Sequence, residues 1–88
     1  MTWKINWSNE ARKQLRRLDK TRQKQVLAYM RERISDATNP RAFGKPLRHE
    51  KFGLWRYRVV DVRVICQIQN DELVVLVLNV GHRKSIYK

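Results

Sequence analysis

"GLWRYRVVDVRVICQI", running from Gly53 to Ile68, is the stretch whose reading decides the fold. Successive side chains on a β-strand point to opposite faces. In its first arm Trp55, Tyr57 and Val59 fall on one side, and Arg56 and Arg58 on the other. In its second arm Val62, Val64, Cys66 and Ile68 share a side, while Arg63 falls with Ile65 and Gln67. The stretch therefore reads as a β-hairpin with one apolar face and one face studded with guanidinium groups. Antiparallel sheets commonly leave a face to water, but such faces mix Lys, Glu, Thr and Ser. This one is nearly pure arginine, which points to an anionic ligand.

Downstream, "QNDE" (Gln69 to Glu72) marks a turn, and "LVVLVLNV" (Leu73 to Val80) is a continuous apolar run. Such a run suggests a strand covered on both faces. The expected strands are Leu54–Val60, Val62–Gln69 and Glu72–Val80, followed by the basic tail "GHRKSIYK". Upstream, "TNPRAFGKPLRHEKFG" (Thr38 to Gly53) holds both prolines and two of the three glycines, the signature of a loop. Before the loop, Val26, Leu27, Met30 and Ile34 recur at helical spacing and predict a helix over Thr21 to Ala37, capped by Asp19 or Thr21. Ala11, Leu15 and Leu18 predict another over Ser8 to Leu18, with Ser8 as N-cap and Glu10 in the first turn. "TWKINW" alternates, with Trp3, Ile5 and Trp7 on one side, and reads as a strand. The fold expected is α+β: an antiparallel β-sheet, made of an N-terminal edge strand plus three C-terminal strands, with two N-terminal helices packed on one face. Residues 1–88 are expected to form a single domain. Its core should hold Leu15, Leu18, Val26, Leu27, Met30, Ile34, Trp55, Tyr57 and Val59.

Twenty Lys and Arg against eight Asp and Glu give a net charge of +12 over 88 residues. A field of that sign attracts polyanions at long range. Nucleic acid is the first partner it suggests, an acidic protein segment the second and an anionic membrane a distant third. Cys66 is the only cysteine, which excludes an intrachain disulfide and fits a reducing compartment. The N-terminus lacks the apolar run of a signal peptide, and no stretch approaches the ~20 apolar residues that cross a bilayer. The expectation is a soluble cytoplasmic protein without membrane association.

Two histidines, one cysteine and eight scattered acids match neither zinc spacing nor a carboxylate cluster, so no metal and no cofactor is expected. Too few glycines remain for a phosphate-binding loop of the Walker or dinucleotide type. Cys66 lies on the apolar side of its strand and reads as a buried structural thiol. What is left is a metal-free basic site. RNA carries its own nucleophile, the 2′-hydroxyl, so its cleavage needs cations on the phosphate, a proton acceptor, a proton donor and an aromatic ring to hold a base. Arg56, Arg58 and Arg63 could grip phosphate, Arg83 could add a cation and Tyr87 a stacking ring. Lys45, Arg48 and Lys51 in the loop extend the RNA-binding set. His49 and His82 are the side chains that titrate near neutrality, although a solvated histidine serves either position equally well.

"GLWRYRVVDVRVI" followed by "LVLNVGHRKSIY" resembles the RelE/ParE toxin superfamily, specifically its RelE branch of messenger-RNA interferases. The resemblance spans essentially the whole chain in the order strand, two helices, loop, hairpin sheet and basic tail. It implies the toxin of a type II toxin–antitoxin system, a metal-independent endoribonuclease acting on mRNA at the ribosome. It also implies a cognate antitoxin that covers the basic face with an acidic segment, and a complex that represses its own operon by binding operator DNA. By position, it implies catalytic roles for Arg58, Arg63, His82, Arg83 and Tyr87, and RNA contacts for Arg56. Well-studied members carry lysines in the first arm where this chain has arginines. Arginine stays protonated, so the acid–base role falls to His49, Glu50, His82 or Lys51. Hairpins of the family often place Gly before the turn Asp, whereas Val60 precedes Asp61 here. A β-branched residue resists positive φ, which predicts a reshaped turn or one centred a residue later. Two other readings remain: a ParE-like inhibitor of DNA gyrase without nuclease activity, and a non-enzymatic nucleic-acid-binding module.

Overall fold

In the computed structural model, which describes residues 2–47 and 53–82, ten short segments follow one another along the chain. Strand β1 (Lys4–Trp7) leads into helix α1 (Asn9–Arg17) and helix α2 (Lys20–Tyr29). A π-helical turn (Met30–Ile34), a 3-10 turn (Pro40–Ala42) and the two-residue strand β2 (Lys45–Pro46) follow. Strands β3 (Leu54–Val59), β4 (Val62–Gln69) and β5 (Val74–His82) complete it, with a 3-10 turn (Asn70–Glu72) before the last. The strands form one sheet in the order β1-β5-β4-β3-β2.

The α+β architecture and the edge position of β1 agree with the sequence reading. Two details do not. β1 runs parallel to β5, pairing Ile5 with Val75 and Trp7 with Val77, so the sheet is mixed rather than antiparallel. Alternation assigns faces but carries no information on strand direction. Direction depends on the whole path of the chain, since β1 and β5 are its first and last strands and three others intervene between them. The segment expected to be loop also contributes β2, which pairs Lys45 with Arg56 antiparallel and lengthens the sheet beyond β3.

Helices and sheet meet over a core of Ala11, Leu18, Val26, Met30, Ile34, Tyr57, Val59, Val62, Val64, Cys66, Ile68, Val75, Val77 and Val80, with Trp3 from the start of the chain. Val26, Met30 and Ile34 fall one turn apart and make the buried stripe. Leu27, expected among them, lies on the flank of that stripe and is 39% exposed. Leu15 and Trp55, also expected in the core, pack against it half-buried. Ser8 caps α1 as anticipated, its side chain accepting from the Ala11 amide at 3.0 Å.

β5 fits its partners through an irregularity. Ile65 pairs with Asn79 and Cys66 with Val77, so Leu78 is an extra residue opposite no partner. Beyond it β5 loses β1 as a neighbour, and α1 satisfies the backbone instead. The Ser8 hydroxyl donates to the Leu78 carbonyl at 3.1 Å, and the Gln14 side chain accepts from the Val80 amide at 2.7 Å. No described helix is long and apolar enough to cross a membrane.

Candidate functional site

Strand register brings the arginines together. Arg58 stands directly opposite Arg63, and Arg56 lies between Lys45 of β2 and Ile65 of β4. Opposed residues of an antiparallel pair share a face, with Cβ atoms about 4.5–5.5 Å apart. All four cations therefore lie on the face away from the helices, as alternation predicted for the three arginines. With Gly44 they line a cavity of about 240 Å³, and among the described residues no acidic side chain lines it. Like charges directly opposite one another repel across a sheet, and a field of that sign attracts polyanions.

The arginines are not equivalent. Arg58 is exposed, Arg56 half-buried, and Arg63 only 7% exposed. Removing Arg63 would therefore disturb the fold as well as the basic face. Its position on the central strand β4 encloses the aliphatic stem. Ile65 beside it is 5% exposed.

The loop that brings Lys45 into the cavity is held by the inner-face aromatics of β3. Trp55 Nε1 donates to the Phe43 carbonyl at 2.6 Å, and the Tyr57 hydroxyl to the Pro40 carbonyl at 2.8 Å. Asn39 caps the turn between them by accepting from the Arg41 amide. Gly44 follows at φ 72°, and a Cβ there would stand 2.2 Å from the Arg56 carbonyl oxygen. Glycine is what lets the loop lie against β3 so closely. Sequence reading placed Gly44 only as a loop marker; its role depends on a contact no local pattern reveals.

His82 is not brought to the arginines. It pairs with Val62, a core residue, and so shares the helix-side face of the sheet. Its Nδ1 lies 3.7 Å from Asp61 Oδ2, and Asp61 is in turn held by Arg22 of α2. It therefore lies on the opposite side of the sheet from Arg56, Arg58 and Arg63. Gly81 is the β5 residue opposite Arg63. Arg48, His49, Glu50, Lys51, Arg83 and Tyr87, all named from the sequence, lie outside the described residues.

The hairpin tip differs from expectation. Val59 pairs with Val62, so the turn is the two-residue Val60–Asp61, and Val60 takes the resisted positive φ, 58°. Asp61 accepts two hydrogen bonds from Arg22, Nε to Oδ1 at 2.8 Å and Nη2 to Oδ2 at 2.7 Å. Those bonds hold the Asp61 carboxyl down at about 2, below the usual carboxylate range, and push the Arg22 guanidinium up. Burial pushes the Cys66 thiol up, as suits a structural residue.

Residues 5–87 match a family model described as the ParE toxin of the type II toxin–antitoxin system parDE. The chain belongs to this family. Among solved structures, the RelBE2 toxin–antitoxin complex of Mycobacterium tuberculosis superposes with a TM-score of 0.84 at 26% identity, covering 94% of this chain and 93% of that one. The archaeal RelE–RelB complex of Pyrococcus horikoshii gives 0.76 at 24%, over 97% and 99% of the two chains. The intact RelBE complex of E. coli gives 0.73 at 21%, over 91% and 95%. A search of curated proteins finds no significant match. The superfamily resemblance read from the hairpin and tail is therefore correct, and the fold of this ParE/RelE-type toxin is that of the RelE structures.

Proposed function

We propose that this toxin is a metal-independent endoribonuclease that cleaves mRNA on the ribosome. The observation carrying this reading is the cavity that Lys45, Arg56, Arg58 and Arg63 line on the face away from the helices. The scissile phosphate sits among those cations. The 2′-hydroxyl of the preceding nucleotide attacks phosphorus, the bond to the 5′-oxygen breaks, and a 2′,3′-cyclic phosphate and a free 5′-hydroxyl result. Negative charge grows on the non-bridging oxygens as the bond forms, and fixed guanidinium groups stabilise it without reorganising. Planar forks suit this better than lysine ammonium groups.

With His82 turned to the helix side, proton transfer falls to His49, Glu50 or Lys51, and Arg83 and Tyr87 of the tail supply the further cation and the stacking ring. An antitoxin with an acidic segment covers the basic face, and the complex represses its own operon at operator DNA. The toxin works in the cytoplasm. The RelE–RelB complexes among the structural neighbours support the partner.

A translation reaction with primer extension tests the reading. Cleavage within codons, unaffected by EDTA and lost on Arg58→Ala, is the expected result. Intact mRNA in the presence of wild-type toxin overturns it. The ParE description of the matching family favours a second reading, inhibition of DNA gyrase. It predicts loss of supercoiling with intact mRNA.

A further inference from the structure

Val60 and Leu73 both hold positive φ, 58° and 54°, a region that costs an L-residue roughly 1–2 kcal/mol. Leu73 has a visible reason, since its side chain packs against the core. Val60 has none of that kind: it is 62% exposed. A strained residue persists only where its surroundings over-determine it. Its surroundings are the neighbouring Asp61 carboxylate, gripped at both oxygens by Arg22, and the Val60 carbonyl, which accepts from Arg58 Nε at 3.2 Å. Arg22 is itself steadied by a 3.1 Å bond to Asp19, at the N-cap of α2. A continuous line of contacts thus runs from the start of α2, through the hairpin tip, to a guanidinium in the basic cavity.

We infer that Arg22 and Asp61 are positioning residues, a bidentate tie that locks the Val60–Asp61 turn and thereby sets the direction of the Arg58 guanidinium. The inference rests on the nuclease reading for its kinetic consequence, but the geometry it asserts does not. The Arg22 guanidinium lies on the helix side of the hairpin and Arg58 on the opposite face, so the tie touches no phosphate. It acts on the turn that joins the two arms. Both bonds are needed, because one pivot would leave the carboxylate, and with it the turn, free to rotate.

Two measurements on the full chain test this. In an NMR spectrum of the guanidinium Nε–H groups, Arg58 should show a resolved, exchange-protected signal in the wild type. Asp61→Asn and Arg22→Lys should both collapse it, while the remote exposed-pair variant Arg31→Gln leaves it unchanged. Arg22→Lys keeps the charge but not the fork, so a signal surviving in that variant overturns the tie. In the ribosome-programmed cleavage assay, Asp61→Asn and Arg22→Lys should lower kcat roughly 10- to 100-fold, with KM held within about twofold, as for a displaced catalytic group. A mere loss of stability lowers the active fraction and the melting temperature together. Unchanged kcat in both variants overturns the inference. Absence of cleavage by the wild type overturns the nuclease reading instead, and the Arg58 signal alone then decides whether the tie exists.

Discussion

On the helix-covered face of β3 and β4, Tyr57, Val64 and Cys66 are completely buried, whereas on the opposite face Arg58 is exposed and Arg56 half-buried. Alternate residues of the same two strands build both. The covered face follows apolar area removed from water and is satisfied by any partner of the right shape. The other face gathers Lys45, Arg56, Arg58 and Arg63, like charges set side by side. On the proposed reading stability belongs to the first face and function to the second, with one exception. Arg63 belongs to the basic face but is nearly as buried as the core.

Truncations on the two faces should separate those roles most sharply. Ile34→Ala, at a fully buried site, should cost about 2–5 kcal/mol of folding stability in a denaturant titration. Arg58→Ala should leave the midpoint essentially unmoved, yet remove roughly 2–4 kcal/mol of transition-state stabilisation from mRNA cleavage. If Arg58→Ala unfolds the protein or cleaves at the wild-type rate, the division between the faces is wrong. Arg63→Ala should do both kinds of damage at once.

Gly44 tests where the two faces meet. A methyl group there would strike the Arg56 carbonyl and approach the Tyr57 ring at 2.8 Å. Gly44→Ala should cost about 1–3 kcal/mol from its left-handed backbone alone. It should also weaken cleavage by displacing Lys45 from beside Arg56. A variant as stable and active as the wild type would show that the loop packs differently.

The parts legible in the sequence were those with a local rule. Alternation placed every described arginine of the hairpin on its correct face, and helical spacing found Val26, Met30 and Ile34. What escaped depended on long-range geometry. The parallel pairing of β1 joins the first strand to the last, and β2 pairs a loop segment with β3, neither of which a local pattern shows. The displacement of His82 from the site escaped because its face depends on the register of β5 against β4, which no local pattern shows. Counting back through the bulged register puts it opposite Val62. The Arg22–Asp61 tie joins residues 39 apart and has no spacing signature. The turn was misread for a related reason: Val60 disfavours positive φ by itself, and a contact from another layer holds it there.

That turn supplies the next test. Val60→Gly places a residue that tolerates positive φ where a β-branched one is strained. Partly offset by the greater freedom of glycine in the unfolded chain, the change should raise stability by about 1 kcal/mol, measured as a shift in denaturant midpoint. No loss of packing opposes it, since the Val60 side chain is largely in solvent. Destabilisation instead would mean that the turn prefers another conformation in solution.

The smallest effect is the pH dependence of the tip. Hydrogen bonds from Arg22 lower the Asp61 carboxyl to about 2 from an ordinary value near 3.8. A group whose folded pKa is depressed stabilises the fold above its unfolded pKa and loses that contribution as pH falls through the folded one. The contribution of Asp61 should therefore be complete above roughly pH 4 and fade between there and about pH 2. The carboxylate is 45% exposed and the guanidinium 35%, so solvent and salt screen the pair. Wild type and Asp61→Asn should differ modestly at neutral pH and converge as the acid limb approaches pH 2. Adding 1 M salt at neutral pH should narrow the gap in the same direction. A gap that persists unchanged to pH 2 would mean that the asparagine disturbs the turn by its shape, and that the charge of Asp61 contributes nothing.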